Sequence, residues 1–423
     1  MALHFDAAAA APPGANVGLG VGKVADLADI GISLAFFDSL TACAAEWRAF
    51  EQDADCTVFQ THGWLSAWMR NIGALNGTTP AIVVGCDAGG RILFLMPLAI
   101  ERVSFVRRLV WLGSGLADYN APLLARDFAA TMGGQRFAAL WKRIVAGLMA
   151  DRRFRHDAIC FEKMPGTVGG QRNPFTFLPV TLNPSGAHLA SLFGDWEAYY
   201  FEKRSSSTRK NDRVKRKKLG ELGEVRMVDA DCDAEARRTL DALFSRKSRQ
   251  FARMGVADVF ARPGHAAFYA DLATGRATRD SVHVSRLEVG DTIAAANFGA
   301  IHGGRYYHLV AAYSDGEVAR FGPGAAHLRE LLRTAIERGC REFDFTIGDE
   351  AYKSEWSDRS IALHDLHAAT TPTGLLAAGA VRAFGRAKRV VKQTPLLWRA
   401  FTRTRAFGAL LVRGKTPPGE MRD

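Results

Sequence analysis

The sequence has no pair of cysteines at the spacing of a metal site or a redox motif. Its six, Cys43, Cys56, Cys86, Cys160, Cys232 and Cys340, stand singly and without a neighbouring histidine cluster. That scatter predicts buried thiols in a reducing compartment, with neither disulfides nor a zinc site, and no metal is expected. No stretch approaches transmembrane length free of charges and helix breakers. The start of the chain, with Ala7 to Ala11 and Pro12-Pro13, lacks the basic residues and sustained apolar run of a secretory signal. The expected location is the cytoplasm. A Walker-type lysine and a dinucleotide fingerprint are also missing, which excludes the commonest nucleotide-binding patterns.

The composition that remains is globular, with 48% hydrophobic and 23% charged residues, and 423 residues suggest two domains of similar size. The formal net charge of +11 is uneven. Lys203 to Lys218 holds nine Lys/Arg against one acid, a net +8, and Thr371 to the end holds eleven against two, a net +9. The rest of the chain therefore carries 11 − 8 − 9 = −6. Two local patches, and not the whole surface, are suited to anionic partners.

Along the chain, residues 1–31 are rich in Ala, Gly and Pro and read as disordered. A first half follows over residues 32–182. In it Asp38 can cap a helix carrying Leu40, Ala44 and Trp47, and Phe59-Gln60 introduces another with Trp64, Leu65 and Trp68. Two apolar runs around Asp87-Ala88-Gly89-Gly90 predict a hairpin, a helix pattern runs from Phe128 to Leu148, and a strand follows at Ala158 to Glu162. Pro174, Pro179 and Pro184 mark the linker region. The second half, residues 190–370, has a basic helix after Ser205, an amphipathic helix ending at Gly255 and strands from Ser281 to Tyr313. Residues 371–423 form a basic tail with Leu376, Phe384 and Val391 on one helical face. That tail suits either an anionic membrane surface or docking on the protein's own core.

The most informative stretch is Tyr306 to Trp356. Tyr306 to Tyr313 is aromatic and β-branched, and so predicts a strand. Leu328, Leu331, Leu332, Ala335 and Ile336 recur at helical spacing behind Pro323 and before Gly339, and Glu342 to Phe345 predicts a second strand. The unit is a βαβ crossover whose turn exposes amides at a helix N-terminus, where an anion can bind or the chain can simply turn. Gly322 and Gly324 carry no Cβ, so the backbone there can approach a ligand closely.

Phe59-Gln60 with Trp64, Leu95-Met96-Pro97-Leu98, Asp118-Tyr119 with Pro122-Leu123, Pro323-Gly324, Asp344-Phe345 and Gly348-Asp349-Glu350 with Tyr352-Lys353 together resemble a known family. It is the CelD-type acetyltransferases of cellulose and exopolysaccharide biosynthesis, members of the GNAT superfamily related to Fem-type aminoacyl transferases. The resemblance runs from Ile32 to Leu366. It implies an α/β (α+β) fold of two tandem GNAT-like halves with mixed central sheets, here followed by the basic helical tail. It also implies acyl-CoA, in the simplest case acetyl-CoA, as donor, bound where two strands part before a helix. The acceptor is expected to be an amine or hydroxyl of a polysaccharide precursor or its carrier; the alternatives are tRNA as donor carrier, as in Fem-type enzymes, or a non-catalytic scaffold that docks to a membrane or synthase through its tail. One departure stands out: Arg320 is followed by Pro323 and Ala325, and Pro323 supplies no N–H where the usual pyrophosphate loop has one.

The resemblance casts Tyr352 as the proton donor to a leaving thiolate and Lys353 as the oxyanion stabiliser. Asp349 and Glu350 are candidates to deprotonate or hold the acceptor amine. Arg320, Gly322, Gly324 and Ala325 form the expected donor-binding set. Arg209, Arg213 and Arg216, on a helix that otherwise reads as a solvated face, join Tyr119 as expected acceptor contacts. His308 can act as a base or sit as a core histidine.

Overall fold

The structure, a computed structural model, describes residues 31–348 and 350–376. The N-terminal segment to Ile30, Asp349 and the tail from Ala377 lie outside the described residues. The first half contributes strands β1 (Ile32–Phe37), β2 (Thr79–Asp87), β3 (Ile92–Val103), β4 (Val106–Trp111) and β5 (Ala158–Pro165). The second half contributes β6 (Ala187–Ser191), β7 (Val225–Asp229), β8 (Val282–Val289), β9 (Thr292–His302), β10 (Arg305–Tyr313), β11 (Glu342–Ile347) and β12 (Arg359–Ile361). A last strand, β13, spans Leu363–Ala369.

The two sheets repeat one plan. In the first, the order is β1-β2-β3-β4-β5-β13, and only β4 and β5 run parallel, joined through helix α3 (Gly134–Ala150). In the second, the order is β7-β8-β9-β10-β11-β6-β12, and only β10 and β11 run parallel, joined through the helix Pro323–Glu337. Helical crossovers of this kind are what parallel neighbours require. One strand also crosses from the second half into the first sheet. β13, expected within the second half, pairs antiparallel with β5 of the first, and Asn183 next to the linker holds Asp365 of that strand at 2.8 Å.

Local sequence explains the helices. In the first half α1 (Ala44–Asp53) lacks a side-chain cap, since its N-cap position is Cys43; Asp38, expected as the cap, lies five residues upstream and pairs with Arg153 at 2.6 Å. Before α2 (His62–Trp68), Thr57 and Gln60 form a capping box, and Thr61 accepts from the Trp64 amide. In the second half α4 (Trp196–Lys203) is capped by Asp195 and the basic α5 (Ser206–Leu222) by Ser205. The amphipathic α6 (Asp233–Met254) buries Ala236, Leu240 and Leu243 and ends at Gly255, which takes the left-handed conformation at φ 61°. After it come α7 (His265–Thr274), α8 (Pro323–Glu337) and the short α9 (Ala351–Trp356).

The largest core runs across the seam between halves. Phe59 makes edge contacts with Trp64, Tyr119 and Tyr307, and Trp64 does the same with Phe268 of the second half. All of these rings are buried, so the seam is a continuous apolar interior in which the two halves share one set of contacts. Gln60, itself buried, donates to the Tyr119 carbonyl at 2.8 Å and fixes where that residue crosses.

Candidate active site

Strands β10 and β11 pair over only three residues, Arg305 with Glu342, Tyr306 with Phe343 and Tyr307 with Asp344. Beyond them the strands part. A bulge in the β9–β10 ladder between Phe298 and Gly299 bends β10 at this level, and Thr346 on β11 adopts φ 58°. Only a Thr346 hydroxyl bond to the His308 carbonyl, at 3.4 Å, still crosses. The two strands thus diverge toward Tyr313 on one side and Gly348 on the other.

α8 begins at the far end of β10. Gly322 sits left-handed at φ 65°, Pro323 occupies the first turn, and no side chain caps the helix. The Ala326 amide is already bonded to the Gly322 carbonyl, which leaves the Gly324 and Ala325 amides directed beyond the helix. A Cβ on Gly324 would lie 2.9 Å from Cδ1 of Tyr313, so on the side of its Cα hydrogens this glycine meets that exposed ring. Glycine is needed there for packing. Arg320 is exposed on the turn Val318–Phe321, and the nearest neighbours of a Cβ on Gly322 would be Ala325 and the Lys215 stem of α5, both at 4.0 Å.

At the mouth of the splay, α9 presents Tyr352 and Lys353. Tyr352 is partly exposed, its ring edge-on to His308 and Phe345. Burial, and then the charge of Glu350, push its phenol above the usual range, so it stays protonated. Lys353, in contrast to a surface lysine, is buried. Its ammonium donates to the Ile347 carbonyl at 2.8 Å and pairs with Glu350 at 3.0 Å. An ammonium has three donors, so one is left for a further acceptor. Burial works to raise the Glu350 carboxyl, but the charge and hydrogen bond of Lys353 hold it below its ordinary value. Burial drives His308 down to about 3, reinforced by Lys353, His327 and Lys247; a neutral imidazole this weakly basic is a core residue and a poor base.

Two residues that sequence reasoning missed complete the cluster. Asp118, from the first half, is partly buried within reach of Lys163, the Thr346 hydroxyl, Lys353 and Glu350, and burial raises its pKa against the pull of those partners. Lys247 on α6 lies in the field of Glu350 and Lys353 and is lowered by burial. Their partners on α9 lie more than 100 residues away in sequence, so although Asp118 stands in a quoted motif, nothing local assigns either residue to this cluster.

The remaining expectations divide. Tyr119 is not a surface contact: it is buried, and its hydroxyl donates to Asp344 at 2.8 Å. The same carboxylate accepts from the Thr346 amide at 2.8 Å and pairs with Arg305 at 3.3 Å, and burial, opposed by Arg305, raises it to about 6. Arg209 folds back onto the Phe201 carbonyl and ring, and Arg216 pairs with Glu330 at 2.7 Å, so both are committed to the protein. Arg213 is exposed. Asp349 lies outside the described residues. Among the described residues no group of three or more metal-ligating side chains converges, and no helix is long and apolar enough to cross a membrane.

A splay between parallel strands, opening before an uncapped helix N-terminus, defines a class. Residues 206–354 match the acetyltransferase (GNAT) domain family, so the chain carries a GNAT acyltransferase domain and is an acyltransferase. Among solved structures it is similar to FemX, at 10% identity over 76% of this chain and 95% of that one, with a TM-score of 0.53. It is also similar to a conserved protein of unknown function from Bacteroides thetaiotaomicron, at 14% identity over 78% and 98%, TM-score 0.49. A tandem GNAT protein from the clavulanic acid biosynthesis pathway matches at 12% identity over 81% and 99%, TM-score 0.43. The FemX likeness covers more than either half alone and shows a shared two-half fold. No curated protein matches the sequence.

Proposed function

We propose that the protein is a CelD-type N-acyltransferase that moves an acyl group from acyl-CoA to an amine or hydroxyl of an envelope- or exopolysaccharide-related acceptor, by direct attack. The reading rests on one observation: β10 and β11 separate after Tyr307 and Asp344, with protonated Tyr352 and tethered Lys353 at the opening. The acyl donor's carrier arm lies in that splay and its phosphates meet the Gly324 and Ala325 amides, with Arg320 alongside. The acceptor nitrogen bonds to the thioester carbonyl carbon as the carbon–sulfur bond breaks. The amine proton passes to Asp118, the third donor of Lys353 steadies the oxyanion, and Tyr352 protonates the departing thiolate. Glu350 keeps Lys353 in place.

The test is thiol release when the full chain is mixed with acetyl-CoA and a panel of amino sugars and amino-sugar oligomers. Stoichiometric thiol and acylated product support the reading; no donor-dependent thermal shift and no thiol with any acyl-CoA overturn it.

A second reading, aminoacyl-tRNA as donor, is favoured by one feature: exposed Lys210, Arg213 and Lys217 on α5 lie on the helix that runs beside the donor turn. Binding of tRNA that weakens steeply with salt and with neutralisation of these residues would support it. In either case the reading places the protein in the cytoplasm, with the basic tail as a contact for the inner membrane face.

A further inference from the structure

A second cavity, of about 460 Å³, opens between the halves at the other end of β10 and β11. From Arg305 at its wall to Tyr313 beside the donor turn is eight strand steps, roughly 26 Å. Tyr119 and Tyr307 line it from the seam, and Cys56, His302, Ser191 and the glycine pair Gly303-Gly304 complete much of the rim. Three arginines face it: Arg305, Arg341 and Arg359. Glu342 serves two of them at once, taking Arg305 at 2.7 Å and also pairing with Arg359. Arg341 is exposed, and no acid pairs with it among the described residues. Its guanidinium lies over the hairpin tip, 3.1 Å from where a Cβ on Gly304 would stand, so glycine there keeps the fork at the cavity mouth. Burial lowers the His302 imidazole and raises the Cys56 thiol, 3.3 Å apart, so neither adds charge; the acids on the lining are Asp55 and Glu342, and of the three arginines only Arg341 is left without an acidic partner among the described residues.

We propose that this cavity binds a small oxyanion-bearing molecule, phosphate or carboxylate, gripped by Arg341 with Arg359 and Arg305 behind it. Planar guanidinium forks match oxyanions in bidentate geometry; Arg305 and Arg359 are already held by Glu342, with Asp344 and Asp358 beside them, so the fork left for an incoming oxyanion is that of Arg341. The volume admits a molecule up to about a mononucleotide in size. The site is separate from the acyl-transfer cluster: none of Tyr352, Lys353, Glu350 or Asp118 lines it.

Calorimetric titration of the full chain with inorganic pyrophosphate, and separately with citrate, tests this at low salt. Arg341→Gln, at an exposed position outside the core, is expected to weaken binding of the preferred probe about tenfold or more, while Arg213→Gln on the basic helix leaves it unchanged. Binding by pyrophosphate alone identifies a phosphate ligand, and by citrate alone a carboxylate; either supports the site. Absence of heat with both probes up to about 10 mM, or affinity equal in Arg341→Gln, overturns it. Equal loss in Arg213→Gln also overturns it, because the anion is then adsorbed on α5. Thiol release from acyl-CoA does not depend on Arg341, so failure here leaves the acyl-transfer reading standing and the reverse holds too.

Discussion

Tyr119→Phe removes one hydroxyl and nothing else, and the structure fixes what that hydroxyl does. It donates at 2.8 Å to Asp344, a carboxylate with 0% exposure that also receives the Thr346 amide and Arg305. Where Asp344 is ionised, losing a charge-assisted bond to a buried acceptor costs about 1.5–3 kcal/mol; where it is protonated the loss is that of a neutral bond, about 1 kcal/mol. Burial has already raised this carboxyl to about 6, above its value in the unfolded chain, so ionising it in the folded state works against folding as pH climbs through 6. The phenol opposes that rise, and its removal lifts the folded pKa further. The deficit of Tyr119→Phe must therefore grow from pH 5 to pH 8. Urea unfolding at both pH values, with unchanged slope, measures it as a shift in midpoint. A deficit that is equal at the two pH values, or larger at pH 5, would refute the claim that an ionised Asp344 is held by Tyr119 across the seam.

Three further outcomes follow from the same geometry. Lys353→Met is expected to lower kcat by at least about a hundredfold, and Tyr352→Phe by about tenfold, with little change in melting temperature because Glu350 is solvent-accessible and hydrates; wild-type rates in steady-state thiol assays would refute both roles. The pH–rate profile should show an acidic limb above the ordinary carboxylate range, reflecting raised Asp118, and no alkaline limb from Tyr352 below the usual phenol range; a limb unchanged in Asp118→Asn assigns it elsewhere. Gly324→Val drives a side chain into Tyr313 at 2.9 Å, so donor affinity should fall and be partly restored by adding Tyr313→Ala; no rescue would mean the glycine serves the ligand directly.

How much of this was legible in the sequence depended on range. Local signals held: Ser205 caps α5, Gly255 closes α6, Gly322 and Gly339 take positive φ at the two ends of α8, and Tyr306 to Tyr313 is a strand. Each of these is decided by a residue's own conformational preference within one turn. Long-range facts did not show. Asp38 looks like a cap, but Arg153 claims it. Tyr119 reads as an acceptor contact within a quoted motif, yet its hydroxyl is buried on Asp344 from the other half. That the absent Cβ of Gly324 makes room for the Tyr313 ring could not be read from spacing either. β13 reads as part of the second half by position, and only pairing with β5 shows which sheet it completes.

The repeated plan also bears on why the proposed chemistry lies in one cleft and not in its counterpart. In the first half β4 and β5 part as β10 and β11 do, after Arg108 with Ala158 and Leu109 with Ile159. There Lys163 stands at φ 58°, the counterpart of Thr346. The edge exposed by that parting is not open. The Asn120 amide bonds to the Lys163 carbonyl at 3.1 Å, the Asn120 side chain to the Glu162 carbonyl at 2.9 Å, and the Lys163 ammonium to the carbonyls of Ser114 and Ala117. Residues 112–120 thus cover this edge, whereas among the described residues no backbone hydrogen bond from such a segment caps the parted edge of β11. The same segment, anchored this way, carries Asp118 and Tyr119 across the seam, one to the acyl-transfer cluster and the other to Asp344. On the proposed mechanism, filling one cleft holds the proton acceptor Asp118 and the brace Tyr119 rigidly against the other, so both halves build a single site.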